Sequence, residues 1–337
     1  MKQSTSEKIA VIGAGSWGTT LAILLADKGY HVKLWVYEPD LAEEMQKNRE
    51  NKIYLPGHRL SDNIIVTSII KDAVKDAGVL VFVVPSHVAR GVIKELAHSL
   101  SDNIIIVSAA KGIENDTLML MSDIFKEALP EPLHKNLTFL SGPSFAKEVV
   151  KKMPTAVALA AYNKKAGESV QGLFSTDYFR VLTNSDVIGV ELGGALKNVI
   201  AIATGISDGM GFGHNTRAAI ITRGLAEITR LGIAMGSEPA TFAGLSGLGD
   251  LILTCTGELS RNRTVGFRLG QGEGLKDILN SMKMVAEGVK TTKAAYELSK
   301  KHKIEMPITN EVYYILYEGK DVKVSARDLM KRELGEE

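Results

Sequence analysis

The sequence predicts an α/β protein, in which a doubly wound parallel sheet is followed by an all-α C-terminal domain. In the first half, short β-branched runs alternate with segments of helical period, and several runs are apolar throughout, as in strands covered on both faces. After about residue 186 these runs stop, and long segments rich in Ala, Gly and Leu follow. The length of 337 residues also favours two domains. We place them at residues 1–186 and 187–337.

The predicted elements follow this change of pattern. Eight runs have the character of strands: residues 9–12, 31–36, 64–66, 79–84, 104–107, 137–140, 156–159 and 179–182. Leu21, Leu24 and Leu25 illustrate the helical spacing between the first two runs. In the second half, we predict helices over residues 187–205, 217–231, 275–282 and 291–301.

Composition excludes several classes of function. Hydrophobic residues make up 45% of the chain and charged residues 23%, which is typical of a globular protein and not of a disordered or fibrous one. Forty Lys and Arg against 39 Asp and Glu leave a formal net charge of +1. No global field therefore favours nucleic acid or an acidic membrane, and we expect neither as a partner.

Cysteine content and the length of apolar runs bear on the compartment. The single cysteine, Cys255, cannot form an internal disulfide or a cysteine-based metal site, and we expect it to serve packing in a reducing compartment. The first eight residues are polar, unlike a secretory signal, and unbroken apolar runs fall short of the ~20 residues of a membrane helix. We expect a cytoplasmic protein without membrane insertion and without a metal.

Residues 13–18 carry the pattern G-x-G-x-x-G, directly after the first predicted strand and before a helix that begins near Thr19. Gly13 permits a tight turn, Gly15 lets a pyrophosphate approach the backbone, and Gly18 lets the helix pack on the sheet. The phosphates then lie at the helix N-terminus. In this strand–turn–helix context, the pattern favours nucleotide binding over a merely structural turn.

The end of the second predicted strand bears on the choice of nucleotide. Glu38 lies about 20 residues beyond Gly15, the spacing at which an acid binds the ribose 2′-hydroxyl. No arginine stands beside it to bind a 2′-phosphate, which mildly favours NAD over NADP. A solvated glutamate that begins a helix before Pro39 fits equally well, so both cofactors stay open.

Small polar turns follow three later strands, at the strand ends where ligands of open α/β sheets bind. His87, Lys111, Gly142 and Ser144 lie in these turns. Lys111 is the only charge in its turn, so it either meets a phosphate or a polarised oxygen or is an exposed loop lysine. For His87, an ordinary loop histidine is the better interpretation.

Lys197 is the most informative residue of the second half. It is the only charge between Glu191 and Asp208, on a predicted helix that is apolar almost all round and is therefore expected in a domain core. Burial lowers the pKa of a lysine towards neutrality, as a general acid/base requires. Gly193 and Gly194, one turn earlier, leave room for a ligand or another helix. The alternative is a lysine that reaches the surface or pairs with a carboxylate.

Two further segments supply neighbours for Lys197. Asp250, in an apolar glycine-rich stretch, either orients this lysine or caps a helix. Ser260 has the side chain of an N-cap residue, and Arg261 and Asn262 beside it suit a phosphate monoester. A solvated helix start explains these three residues as well.

Motifs are spaced over almost the whole chain, from about residue 8 to residue 329. They are GAGSWGT, WVYE, YLPG, VVPSH, AAKGIE, SGPSFAKE, ELGGALKNVIAI, GLGDLILTCTG, SRNR, VAEG and EMPIT. Together they resemble the NAD(P)-dependent sn-glycerol-3-phosphate dehydrogenases of soluble prokaryotic type. The resemblance implies a Rossmann-like domain followed by a helical domain, a homodimer, and interconversion of dihydroxyacetone phosphate and sn-glycerol 3-phosphate for phospholipid synthesis.

Carried onto this sequence, the resemblance implies a role for each matching residue. Lys197 resembles the general acid/base. Substrate-binding positions are matched by Lys111, Gly142, Ser144, Lys197, Asp250, Ser260, Arg261 and Asn262. Cofactor-binding positions are matched by Gly13, Gly15, Ser16, Trp17, Gly18, Tyr37, Lys111, Ala146, Arg261, Val285 and Glu287. Weaker matches are Asn198, Thr254 and His87.

Tyr37 departs from the pattern of many NADP-using members, which carry Arg or His at this position. An aromatic residue followed by Glu38 looks more like the NAD-using branch. In the implied mechanism, the substrate binds between the domains, Arg261 and Asn262 hold its phosphate, and Lys197 protonates the developing alkoxide.

Two rival functions fit the same fold. One is another two-domain dehydrogenase, which acts on a hydroxy acid or a nucleotide sugar. The other is a catalytically silent redox sensor that binds NAD(H). A sensor needs no acid/base group, so Lys197 argues against it.

Overall fold

The computed structural model of the protein describes residues 8–282 and 286–332. The chain forms two compact units. Among the described residues, the first contains 8–111 and 119–190, and the second contains 112–118, 191–282 and 286–332. The functional division after residue 186 stays a prediction.

The first unit is built on a large sheet. The described part of the chain forms ten strands, β1–β10, which are Lys8–Ile12, His31–Trp35, Glu50–Asn51, Leu55–Arg59, Ile64–Thr67, Val79–Phe82, Ile105–Ser108, Leu137–Ser141, Thr155–Ala161 and Phe179–Asn184. Eight of them pair in the order β10-β9-β8-β7-β6-β1-β2-β5. All eight predicted strands are confirmed, with ends shifted by at most two residues.

The strand order of this sheet reverses beside β1. Its neighbour on one side is β2, with Ile12 opposite Trp35, and on the other side β6, with Ile12 opposite Phe82. At such a switch point the connections leave on opposite faces, which opens a crevice at the carboxyl ends of the strands. The glycine-rich turn follows β1 and therefore lies at the switch point.

One strand pair departs from the predicted parallel sheet. β8 and β9 are antiparallel, with Phe139 opposite Ala160, whereas the other pairs of this sheet are parallel. The connection between them contains only the four-residue helix Ala146–Val149. A crossover between parallel strands is usually made by a longer α-helix that returns along the sheet, whereas these four residues form only about one turn.

β3 and β4 form a separate antiparallel hairpin that the sequence pattern did not predict. β4 has the sequence Leu-Pro-Gly-His-Arg. Pro and Gly inside a run argue against a strand, because Pro lacks the donor and Gly lacks a side chain to pack.

Sixteen helices, α1–α16, are formed within the described residues. The sheet unit contains Ser16–Asp27, Pro39–Asn48, Ile70–Val74, Ser86–Leu96, Met121–Ala128, Ala146–Val149 and Lys164–Phe174. The following nine are Val187–Gly209, His214–Ala234, Pro239–Phe242, Asp250–Thr256, Arg261–Gly270, Leu275–Ser281, Glu287–His302, Pro307–Tyr317 and Val322–Met330. The described residues of the second unit form no strand, so the predicted all-α domain is confirmed.

The helix α8 is the central element of the helical unit. It is long and apolar enough to cross a membrane by length and composition alone, with a mean hydropathy of 1.5 over an 18-residue window. However, 89% of that window is buried inside the protein. The prediction of a core helix that is apolar almost all round is confirmed.

Backbone packs directly on backbone where α8 meets α12. Gly205 and Gly209 of α8 face α12, and Gly266 and Gly270 of α12 face α8. A Cβ atom at any of the four would overlap a carbonyl oxygen of the other helix. Two pairs of glycines spaced by four residues therefore set how closely the helices approach.

Glu227 of α9 is a buried carboxylate that caps another helix. It accepts hydrogen bonds from the N–H groups of Ile308 and Thr309, at 2.6 and 3.1 Å, in the first turn of α15, and from the Thr309 hydroxyl at 2.9 Å. Burial raises the pKa of Glu227 above its ordinary value, although these bonds and the charge of Arg230 oppose the shift.

Glu227→Gln is expected to change how stability depends on pH. Because the pKa of Glu227 is raised on folding, the folded chain binds more protons than the unfolded one, so stability is lost as the pH rises above about 4.5. Glutamine does not ionise. The free energy of unfolding of the variant should therefore rise relative to that of the wild type between mildly acidic and neutral pH, as measured by urea titration. A constant difference, or one of opposite sign, would contradict this assignment.

Candidate functional site

The glycine-rich turn joins β1 to α1 and takes the shape that its glycines predict. Gly13 has a φ of +110°, and a Cβ atom there would lie 2.8 Å from the Val83 carbonyl oxygen, just after β6. Gly18 lies inside α1, where a Cβ atom would overlap the Gly13 carbonyl oxygen. The helix begins at Ser16 and not near Thr19 as predicted. The third glycine, Gly18, is therefore already part of the helix.

Gly15 differs from these two glycines, since packing within the chain does not require it. It is exposed, and a Cβ atom there would meet no described atom within 4 Å. It is the N-cap residue of α1, whose first turn carries no acidic side chain. An open side at the positive end of a helix suits an anion. The turn therefore fits the pyrophosphate of a dinucleotide.

The first turn of α1 holds further residues matched to cofactor positions. Ser16 and Trp17 both lie there half-buried, and the Trp17 ring lies 6.4 Å from that of Phe179. The Thr20 hydroxyl lies 3.4 Å from the carbonyl oxygen of Ala146, the first residue of α6, and donates to it. The structure thus brings Ala146 beside the glycine-rich turn.

Tyr37 and Glu38 follow β2, the neighbour of β1. Tyr37 is 76% exposed, and its ring meets that of Trp35 edge to face at 6.1 Å. Glu38 is the N-cap residue of α2 and accepts a hydrogen bond from the Tyr54 hydroxyl. Burial and then the Glu38 carboxylate raise the pKa of Tyr54. Glu38 therefore does begin a helix, and its carboxylate is also held in place by a neighbour.

Three predicted turn residues come together at the carboxyl ends of β7 and β8. Lys111 Nζ donates to the Gly142 carbonyl oxygen at 3.3 Å, and Ser144 Oγ donates to the same atom at 3.0 Å. Gly142 has a φ of +140°, and a Cβ atom there would lie 3.0 Å from the Val157 Cα. A lysine and a hydroxyl therefore converge at the ligand-binding end of the sheet. His87 is an exposed residue in the first turn of α4, so it is helical rather than part of a loop.

Lys197 and Asp250 form a buried pair in the helical unit. Their side chains are 8% and 1% exposed, and Lys197 Nζ donates to Asp250 Oδ1. Asp250 is the first residue of α11. One turn later, Thr254 Oγ1 donates to the Asp250 carbonyl oxygen at 2.6 Å and lies 3.5 Å from Oδ1. Lys197 therefore pairs with a carboxylate, and the alternative of a lysine that reaches the surface is wrong.

The room predicted at Gly193 is filled by protein. A Cβ atom there would lie 2.5 Å from the Ser246 carbonyl oxygen. Ser246 belongs to the π-helical turn Leu245–Gly249, which leads directly into α11. The glycine thus lets this turn approach α8 one helical turn before Lys197, and the turn brings Asp250 within reach.

The start of α12 has the form expected of a phosphate-binding helix end. Ser260 is its N-cap residue, as predicted, with Oγ accepting the Arg263 N–H at 3.3 Å. Arg261 is the first helical residue and is exposed, whereas Asn262 is buried. A helix N-terminus beside an exposed guanidinium suits a phosphate monoester.

Asn262 also joins three helices. Its Oδ1 accepts the Gly288 N–H at 2.9 Å, and its Nδ2 donates to Asn198 Oδ1 at 2.8 Å. The Gly288 N–H can only donate, so the atom of the Asn262 side chain that faces it must be the oxygen, and the nitrogen must face Asn198. Glu287 begins α14 immediately before Gly288, and Val285 lies outside the described residues.

Asp208 is a neighbour of this helix start that the sequence analysis did not single out. Its side chain is 4% exposed and forms ion pairs at 2.7 Å with Arg263 of α12 and Arg217 of α9. One buried carboxylate of α8 thus holds the first turn of α12 in place. Asp208 is the next charge after Lys197 on an apolar helix, so the reasoning that selected Lys197 applied to it as well.

The remaining predictions concern the cysteine and the metal. Cys255 is fully buried in α11, and burial raises the pKa of its thiol to about 12. The thiol is therefore inert at neutral pH, in keeping with a packing role. Within residues 8–282 and 286–332, no three His, Cys, Asp or Glu side chains are grouped so as to hold a metal ion.

Comparison with known proteins places the chain in one family. Residues 8–167 match the family model described as the NAD-dependent glycerol-3-phosphate dehydrogenase N-terminus, and residues 186–327 match the corresponding C-terminus. Curated relatives named glycerol-3-phosphate dehydrogenase, NAD(P)+, include that of Citrifermentans bemidjiense, 58% identical over 329 residues, and that of Geobacter sulfurreducens, 56% identical over 329 residues. Each match covers 98% of both chains.

A solved structure agrees over the same extent. The crystal structure of glycerol-3-phosphate dehydrogenase from Coxiella burnetii matches with a TM-score of 0.93 and 39% sequence identity. The match covers 97% of this chain and 100% of that one. Both halves of the chain, its closely similar relatives and its fold therefore lead to one conclusion: the chain belongs to the NAD-dependent glycerol-3-phosphate dehydrogenase family.

Proposed function

We propose that this chain is a dehydrogenase that interconverts dihydroxyacetone phosphate and sn-glycerol 3-phosphate with NAD(P)H. The observation that carries the proposal is the buried Lys197–Asp250 pair, a proton donor fixed on a core helix. The same unit offers a helix start that suits a phosphate monoester. The relatives named above carry this activity in their names.

The first unit supplies the nucleotide site of the proposed enzyme. The turn at residues 13–18 and the first turn of α1 hold the pyrophosphate, and Tyr37 and Glu38 lie at the adenosine ribose. When bound, the nicotinamide supplies the hydride that reduces the carbonyl carbon. Ala146 stands beside the first turn of α1, where it contributes to the same site.

Lys197 gives its proton to the carbonyl oxygen during reduction and takes one from the hydroxyl during oxidation. An ammonium group carries three N–H donors, of which the bond to Asp250 uses one. Asp250 orients the side chain and compensates its charge, without which a buried ammonium is strongly unfavourable. Lys111 contributes positive charge to substrate binding, and Gly142 and Ser144 lie at the same end of the sheet.

The start of α12 binds the phosphate of the substrate. Arg261 and the N–H groups of the first turn carry most of the binding, and Asn262 contributes through its amide. Ser260 caps the helix, and Asp208 holds Arg263 and with it the first turn. In this proposal, Lys197 donates the proton, whereas Arg261 and the start of α12 bind the phosphate.

Arg261→Ala is expected to raise KM for dihydroxyacetone phosphate by about tenfold or more, the value of one charge-assisted hydrogen bond, with a smaller effect on kcat. Arg268→Ala is the matched control, since Arg268 lies in the last turn of the same helix, paired with Glu273. Initial-rate kinetics of both variants measure the difference. Unaltered kinetic constants in Arg261→Ala would rule out an anchoring role.

The residues after β2 favour NAD over NADP mildly. The Glu38 carboxylate, held by the Tyr54 hydroxyl, accepts a hydrogen bond from a ribose 2′-hydroxyl and repels a 2′-phosphate. Tyr37 offers an exposed ring where many NADP-using members carry a cation. Glu38→Ala should therefore bring the kcat/KM values of NADH and NADPH closer together.

We further propose a cytoplasmic homodimer that supplies glycerol 3-phosphate for phospholipid synthesis. Membership of the family supports this proposal. Sedimentation velocity on the purified chain tests the oligomeric state directly.

The proposed reaction is tested by following the absorbance of NADH and NADPH with dihydroxyacetone phosphate. Consumption of either nucleotide supports the proposal, and the ratio of the two kcat/KM values decides the cofactor preference. A 2-oxo acid, the oxidised form of a hydroxy acid, serves as the control substrate in this direction, since an enzyme that recognises a carboxylate should ignore dihydroxyacetone phosphate. Folded protein that binds nucleotide but oxidises neither form with this substrate would overturn the proposal.

A further inference from the structure

Asn51 lies in the unpredicted β3–β4 hairpin and is completely buried. Its Nδ2 donates to the Ala14 carbonyl oxygen at 2.8 Å and to Thr19 Oγ1 at 2.9 Å. Its Oδ1 accepts the Tyr54 N–H at 3.0 Å. The acceptor and both donors of this amide are therefore engaged, which is what a buried amide requires.

Both amide donors end on the glycine-rich turn or on the helix that it opens. Ala14 is the residue between Gly13 and Gly15, and its carbonyl oxygen also accepts the Thr19 hydroxyl at 3.3 Å. Asn51 and Thr19 thus both donate to the Ala14 carbonyl oxygen and fix its direction towards the protein interior. Asn51 is 37 residues away from Ala14 in the chain, so this contact is not a local consequence of the turn.

The geometry of the peptide bond transmits this contact to the open side of the turn. The Ala14 carbonyl and the Gly15 N–H belong to one planar trans peptide, in which the two groups point in opposite directions. A carbonyl held towards the protein therefore directs the Gly15 N–H outward. Gly15 itself is exposed, and a Cβ atom there would have no described neighbour within 4 Å, so the turn is open to a ligand at this residue.

We propose that Asn51 is a positioning residue for the dinucleotide, which fixes the Ala14–Gly15 peptide so that its N–H faces the pyrophosphate. The inference rests on the proposed function, because it presumes that a dinucleotide binds at this turn. It also gives the hairpin a role, since β3 carries Asn51 beneath the turn. Glu50 steadies β4 by accepting the Gly57 N–H at 2.8 Å.

The experiment compares Asn51→Ala with Asn63→Ala. Asn63 is the matched control, because its amide donates at 3.3 Å to the carbonyl oxygen of Ala26, at the opposite end of α1. We expect Asn51→Ala to weaken NADH and ADP-ribose binding about tenfold, as measured by calorimetry, with kcat at saturating nucleotide nearly retained. Asn63→Ala should bind both ligands as the wild type does.

Hydrogen exchange without nucleotide gives an independent readout. Amides of residues 13–20 should exchange faster in Asn51→Ala than in Asn63→Ala, because the turn has lost its anchor. If Asn51→Ala fails to fold, Thr19→Val provides a second test. It removes the hydroxyl that donates to the Ala14 carbonyl oxygen and accepts from Asn51, and it should also weaken NADH binding.

The outcomes separate this inference from the proposed function. Wild-type protein that binds neither NADH nor ADP-ribose would refute the proposed function, and the inference with it. Wild-type protein that binds both, with Asn51→Ala and Thr19→Val binding equally well, would overturn the inference alone. Equal loss in Asn63→Ala would also overturn it, since the effect would then belong to α1 as a whole.

Discussion

Lys197→Met is expected to lower kcat by at least about 10²-fold, the usual scale for loss of a general acid or base. Methionine keeps the unbranched apolar stem of lysine and has no proton to give. Nucleotide binding should stay near that of the wild type, because the glycine-rich turn belongs to the other unit. Single-turnover kinetics and calorimetric titration with NADH measure the two quantities. A variant that turns over as fast as the wild type would refute the acid/base role.

The same substitution leaves the Asp250 carboxylate buried without its partner. Removing one member of a buried ion pair costs about 3–5 kcal/mol, whereas replacing both by apolar side chains is often neutral. Lys197→Met combined with Asp250→Leu should therefore recover most of the stability lost by the single variant and remain inactive. This combination separates the chemistry of Lys197 from its part in folding. A double variant as unstable as the single one would mean that the two side chains do not depend on each other for burial.

Local patterns predicted the parts of the fold that depend on local chemistry. The glycine-rich turn is an example, because φ at Gly13 and close packing at Gly18 are demands on a short segment that only glycine meets. Lys197 is another example, since one charge on an apolar helix is visible without knowledge of its neighbours. Its burial follows from the pattern, and its partner does not.

Asp250 shows why the sequence does not identify the partner of Lys197. The sequence allowed it to orient Lys197 or to cap a helix, and 53 residues separate the two side chains. Their contact depends on the approach of a π-helical turn to Gly193, which is a property of tertiary packing. Asn51 escaped notice for the same reason, as it acts on residues far from it in the chain. The antiparallel pairing of β8 and β9 likewise follows from the geometry of their connection, which the alternation of strands and helices does not encode.

Gly266→Ala is expected to destabilise the helical unit by about 2 kcal/mol or more. Helix propensity alone predicts the opposite sign, because alanine is favoured over glycine inside a helix by about 1 kcal/mol. The added methyl would overlap the Ile202 carbonyl oxygen, and a backbone atom cannot move aside as a side chain can. Overpacking costs about 1–3 kcal/mol and occasionally more, and relief here requires α8 and α12 to separate.

Gly91→Ala is the matched control, since Gly91 is an exposed helical glycine of α4 with no described atom within 4 Å of a Cβ position. It should gain up to about 1 kcal/mol. Urea unfolding, followed by hydrogen exchange in each unit, measures both effects. Lys197 lies on α8, and α12 begins at Arg261. Separation of the two helices should therefore also increase the distance between Lys197 and the phosphate-binding Arg261, and lower kcat. If the two variants were equally stable, the glycine contact would not set the distance between these helices, and the placement of the site would have to depend on the Asp208 ion pairs instead.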